Sequence, residues 1–90
     1  MQAVKLLIHG KVQGVGYRRW FEKEAIALNL KGYVKNLENG DVEAVIIGTE
    51  QSVATIIRHA YVGPLRASVS SIQQEQLAED APYTDFKMLR

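Results

Sequence analysis

The sequence predicts an α+β sandwich whose elements follow the order β-α-β-β-α-β. Three observations lead there. Short apolar segments with strand character recur, the first with Val4, Leu6 and Ile8 at period two. Between them, two longer segments carry apolar residues at helical spacing. Turn signals fall at the junctions: a glycine-rich stretch, Asn39-Gly40, and Gly63-Pro64.

The first strand runs from about Ala3 to Lys11, with Lys5 and His9 alternating against the apolar residues. Leu7 interrupts the polar face, which predicts cover on both sides. Gly10 to Gly16 follows, and then Tyr17, Trp20, Phe21, Ala25 and Leu28 form the stripe of an amphipathic helix. Lys31 to Asn36 reads as the second strand. Asn39-Gly40 predicts a two-residue hairpin, because both turn positions then need positive φ. Val42 to Ile47 returns, Gly48 ends it, and Thr49 has the chemistry of a helix N-cap. Val53, Ile56, Ile57 and Ala60 mark the second helix, stopped by Gly63-Pro64. Ala67 to Leu77 is a further strand, and Val69 and Ile72, three apart, require a bulge to share a face. Phe86 and Met88 suggest a short last strand. The order is that of the ferredoxin-like split βαβ sandwich: an antiparallel sheet with two helices on one face, as a single domain over residues 1–90.

Composition bounds the function. With 47% hydrophobic and 23% charged residues the chain is that of a folded globular protein. A net charge of +1 argues against a dedicated nucleic-acid binder. The absence of Cys excludes disulfides, thiolate metal sites and a Cys nucleophile, and fits a reducing compartment. No apolar run approaches the roughly 18 residues of a membrane span, and no targeting segment is read at the N-terminus. The expectation is a soluble, cytoplasmic protein with no membrane and no nucleic-acid partner.

The informative stretch is Gly10-Lys11-Val12-Gln13-Gly14-Val15-Gly16-Tyr17-Arg18, leaving a strand and opening a helix. Gly14 and Gly16 either make a tight turn or let successive N–H groups point into one concavity. The helix start adds unpaired N–H groups and a positive dipole end. Arg18 in the first turn opposes that dipole, so its presence needs a reason, and a bound anion supplies one. The spacing is neither G-x-G-x-x-G nor a Walker loop. Arg19 reads as a solvated helix face. Asn36, at the end of the second strand, either caps its own backbone or orients a water or a substrate oxygen.

The other polar residues read as structural. His9 and His59 have no ligand partners at metal spacing. Glu22 and Glu24 read as solvated, and Asp41, Asp80 and Asp85 as solubilising turn residues. Ser68, Ser70 and Ser71 lack a nucleophile-elbow context.

The loop from Gly10 to Arg18 resembles the first signature of the acylphosphatase family. Gly32 to Glu43 resembles the second, and Gly63-Pro64 and Tyr83-Thr84-Asp85-Phe86 also fit, so the resemblance spans nearly the whole chain. It implies hydrolysis of the carboxyl–phosphate bond of small-molecule acyl phosphates, without metal or cofactor, and the expected state is a monomer. It places the substrate-binding arginine on Arg18 and the water-orienting asparagine on Asn36. The phosphate cradle falls on the backbone of Gln13, Gly14, Val15, Gly16 and Tyr17. Leu37 follows the asparagine, where some relatives carry a hydroxyl residue.

The chemistry is consistent with these residue types. A carboxylate leaves readily, so neither a strong general acid nor a strong base is required. What remains is to hold the phosphoryl group, spread its charge and place water in line. Two other readings share the topology. An RNA-binding module would carry aromatics on its central strands, and Lys31-Gly32-Tyr33-Val34 begins that pattern before Lys35-Asn36 departs from it. An accessory domain of a larger protein would keep the pocket, whereas a chain ending at Arg90 points to a free-standing enzyme.

Overall fold

β1 (Gln2–Lys11) and β3 (Val42–Gly48) form the centre of a five-stranded sheet, because the chain alternates sides of them as it winds. The order is β4-β1-β3-β2-β5, with β2 spanning Lys31–Asn36, β4 Ser68–Gln76 and β5 Phe86–Met88. The computed structural model describes residues 1–78 and 83–90, so Asp80 and Pro82 lie outside the described residues. The four longer strands pair antiparallel, as expected. The sheet is nevertheless mixed: β5 adds to the β2 edge in parallel, with Gly32 opposite Phe86. Both helices, α1 (Tyr17–Ala27) and α2 (Glu50–Val62), cover one face. Among the described residues no helix is long and apolar enough to cross a membrane.

The even residues of β1 point at the helices. Val4, Leu6 and Ile8 pack with Val42, Ala44 and Ile46 against Phe21, Ala25, Val53, Ile56 and Ala60. That is the period-two strand meeting the period-3.6 helix. Thr49 caps α2 as its chemistry predicts, its hydroxyl accepting from the Ser52 N–H at 3.1 Å. Tyr17 is buried and donates to the Ala60 carbonyl at 2.7 Å, tying α1 to α2. Burial raises its phenol above the ordinary value, so the hydroxyl stays a donor.

The expected bulge lies in β4. His9 faces Ser71 but Gly10 faces Val69, so Ser70 is the extra residue. The insertion returns both Val69 and Ile72 to the core side. At Gly10 (φ +131°) a Cβ would stand 2.2 Å from the Ser68 carbonyl oxygen, so the bulge requires glycine there.

The β2–β3 connection departs from the two-residue hairpin. Asn36 pairs with Val42, leaving residues 37–41 in the loop. The turn closes from Gly40 N–H to the Leu37 carbonyl at 3.2 Å, and Leu37 N–H donates to the Asp41 carbonyl at 2.9 Å. Gly40 has φ +97°, whereas Asn39 keeps negative φ and uses its side chain to accept from the Asp41 N–H. A local side-chain bond therefore replaces the backbone inversion that the Asn-Gly pair suggested.

Several polar residues read as solvated are engaged. Glu24 meets His59 Nδ1 at 2.8 Å, and Glu22 accepts from the Met88 N–H at 3.0 Å, fastening β5 to α1. Asp41 Oδ2 meets His9 Nδ1 at 2.8 Å, and His9 Nε2 meets Gln73 at 3.0 Å. On the face away from the helices, Tyr33 packs against Tyr83 and donates to Glu43 at 2.6 Å, so Tyr33 serves sheet packing.

Glu43 is buried on that face, with Lys5 at 3.6 Å and Lys35 at 3.7 Å. Burial pushes its carboxyl up, but the Tyr33 hydroxyl and then the two lysines outweigh burial and hold it below its ordinary value. A carboxyl depressed in the folded state contributes stability above its unfolded pKa. That stability is lost as pH falls through the folded value. Glu43→Gln should therefore melt with a shallower dependence on pH below roughly pH 4. Thermal melts of both proteins across that range check this; parallel acid limbs would contradict it.

Candidate active site

The chain leaves β1 at Lys11 and enters α1 at Tyr17 through a loop that curls twice into the left-handed region, at Gly14 (φ +74°) and Gly16 (φ +80°). Space around both is open, so conformation, not crowding, selects glycine. Gly16 is the N-cap and offers no side-chain oxygen to α1. Trp20 N–H reaches the Gly16 carbonyl at 3.0 Å. Among the described residues the N–H groups of residues 13–19 find no acceptor. The loop thus presents a run of free donors at the positive end of a helix. Val15 turns toward the core instead, anchoring the curl from behind.

Beside the loop lies a hollow of about 190 Å³ lined by Val12, Gln13, Gly14, Gly16, Tyr17, Arg18, Arg19, Asn36 and Met88. That is smaller than the ~300 Å³ at which drug-sized sites begin, which suits a small anionic group with the rest of the ligand outside. The structure brings Arg18 and Asn36, widely separated in sequence, to the same hollow as the loop.

Each side chain is held by a different element. Arg18 is the second residue of α1, and its Nη1 donates to the Leu89 carbonyl at 2.5 Å. Leu89 is itself fixed by its N–H to the Val34 carbonyl at 2.8 Å, so the segment after β5 braces the guanidinium from behind. Its other donors stay available for an anion. Asn36 is half-buried at the end of β2, and its Oδ1 is buried with no hydrogen-bond partner among the described residues. It does not cap its own backbone. A buried amide oxygen left unpaired costs about 1–3 kcal/mol, so its position calls for a donor such as water.

Sequence reasoning missed three features. Arg19 is exposed, yet it borders the hollow and adds a second cation to its rim. Met88 contributes an apolar wall from β5. The Gln13 side chain donates to two hairpin carbonyls, Leu37 at 2.8 Å and Asp41 at 2.9 Å, where only its backbone had drawn attention. Among the described residues no group of three or more His, Cys, Asp or Glu side chains is placed to hold a metal ion.

Comparison with known proteins identifies the family. The Acylphosphatase family model matches residues 4–88. An acylphosphatase from Azorhizobium caulinodans is 48% identical over 77 residues, 86% of this chain and 82% of that protein. The crystal structure of acylphosphatase from Bacillus subtilis aligns with a TM-score of 0.96 at 27% identity, covering 100% of both chains. The structure of an acylphosphatase from Coxiella burnetii aligns at 0.92 and 36% identity, covering 98% of this chain and 92% of that one. With the family model matched over residues 4–88, a relative at 48% identity and a fold shared over nearly the full length, this chain belongs to the acylphosphatase family of enzymes.

Proposed function

We propose that this chain hydrolyses small-molecule acyl phosphates, with the phosphoryl group held by the N–H groups of Gln13 to Tyr17 and by Arg18, and the attacking water oriented by Asn36. The observation that carries this reading is the meeting, in one small hollow, of free amide donors, a braced guanidinium and an unpartnered buried amide oxygen.

The water oxygen attacks phosphorus as the bond from phosphorus to the acyl oxygen breaks. The bonding electron pair leaves with the carboxylate, and the water proton passes to a phosphoryl oxygen. Loop amides and Arg18 stabilise charge on the equatorial oxygens in place before reaction, so little reorganisation is needed. Asn36 Oδ1 accepts one hydrogen bond from the water and aims its lone pair at phosphorus. The carboxylate is a good leaving group, so the absence of a paired general acid in the hollow is no obstacle.

The test is hydrolysis of benzoyl phosphate by chelator-treated protein, with orthophosphate as competitor. Turnover with competitive inhibition is expected, and simple alkyl phosphates, which must expel an alkoxide, should be refractory. A protein that leaves benzoyl phosphate intact would overturn the reading.

A further inference from the structure

We infer that the Gln13 side chain is a positioning residue for this reaction, fixing the end of β2 that carries Asn36 against the phosphoryl-binding loop; this rests on the reading just proposed. The loop and Asn36 belong to elements that no backbone ladder joins. The loop follows β1, Asn36 ends β2, and β3 lies between those strands. Their separation at the hollow therefore needs another tie.

Gln13 provides it. Its Nε2 donates to the Leu37 carbonyl at 2.8 Å and to the Asp41 carbonyl at 2.9 Å, so both amide protons are spent on the two sides of the hairpin neck. That neck is closed by the Leu37 N–H to Asp41 carbonyl bond, and Asp41 is held from β1 by His9. Leu37 is covalently next to Asn36. One residue thus offers its backbone to the phosphoryl group and its side chain to the partner of the attacking water. Leu37 contributes through its carbonyl, a role that makes no demand on its side chain. Glutamine is suited to the task, being long enough to cross, neutral, and able to donate twice from one nitrogen. In-line attack tolerates little error, a displacement of about 1 Å costing on the order of 100-fold.

The experiment compares kcat, KM and orthophosphate inhibition for Gln13→Met, Gln13→Glu, Asn36→Ala and the double variant Gln13→Met/Asn36→Ala on benzoyl phosphate. Gln13→Met keeps length and volume but removes the donors. It should lower kcat about tenfold while KM and phosphate inhibition stay within about threefold. Gln13→Glu sets carboxylate oxygens against two carbonyls and should lower kcat at least as far. If Gln13 acts through Asn36, adding Gln13→Met to Asn36→Ala should change kcat less than about twofold. A merely structural role would instead depress both backgrounds alike. Equal losses in both backgrounds, a loss confined to phosphate affinity, or wild-type kcat in both single Gln13 variants would overturn the inference and leave the proposed reaction standing. Wild-type kcat in Asn36→Ala would remove the reading beneath it and the inference together.

Discussion

Arg18→Ala should lose substrate binding and turnover together, with kcat/KM on benzoyl phosphate falling roughly 30- to 1000-fold, the equivalent of about 2–4 kcal/mol. Both parameters should suffer because, in the proposed reaction, the guanidinium meets phosphoryl oxygens in the bound substrate and meets more charge on them in the transition state. Arg18→Lys should recover little. The ammonium lacks the planar fork, so it cannot hold the Leu89 carbonyl and present a preset pair of donors to the anion. Unfolding does not account for the expected loss. A cation in the first turn of α1 opposes the helix dipole, and its removal relieves about 0.3–1 kcal/mol. That relief offsets the lost bond to Leu89, so the melting temperature of Arg18→Ala should stay near that of the wild type. Steady-state kinetics with parallel thermal melts check the prediction, and activity within twofold of wild type would contradict it.

The elements were legible because the forces behind them are local. Period-two strands, 3.6-residue stripes and the Thr49 cap can each be read within a short window. Even the β4 bulge was visible, since Val69 and Ile72 share a face only if one residue is extra. The curl of the loop was legible for the same reason: Gly14 and Gly16 both take the positive φ that glycine allows. What stayed hidden are polar pairings decided by packing between distant segments. Gln13 meets a carbonyl 24 residues away, Glu22 an amide 66 away, and Arg18 a carbonyl 71 away. Nothing in the spacing of Glu22 or Glu24 distinguishes a solvated carboxylate from one that fastens a strand or meets a histidine. The hairpin was misread because Asn39 has two ways to make a turn, and the side-chain route to Asp41 prevailed. The parallel pairing of β5 also escaped notice, since three residues of strand carry too little pattern to show their direction.

Asn36→Ala separates rate from binding. On the proposed reading the phosphoryl group is gripped by loop amides and Arg18, none of which the substitution touches, so inhibition by orthophosphate should stay within about threefold of wild type. The rate constant should fall by about 100- to 1000-fold, the loss typical of removing one preorganised hydrogen-bonding group at a reacting centre. Stability should behave in the opposite way from that of most half-buried polar residues. The buried Oδ1 makes no protein hydrogen bond among the described residues, so its removal sacrifices none and relieves the cost of holding an unpaired acceptor. A variant that melts no lower than wild type, binds orthophosphate normally and turns over slowly carries the signature of a group retained for chemistry at the expense of stability. Asn36→Asp should be slower still, because on the proposed reading its carboxylate would stand at the water position and repel the phosphoryl oxygens held by Arg18 and the loop. If Asn36→Ala instead melted several degrees lower and kept its kcat, the amide would be a structural tie of the β2 end, and water would have to be aimed by another group in the hollow.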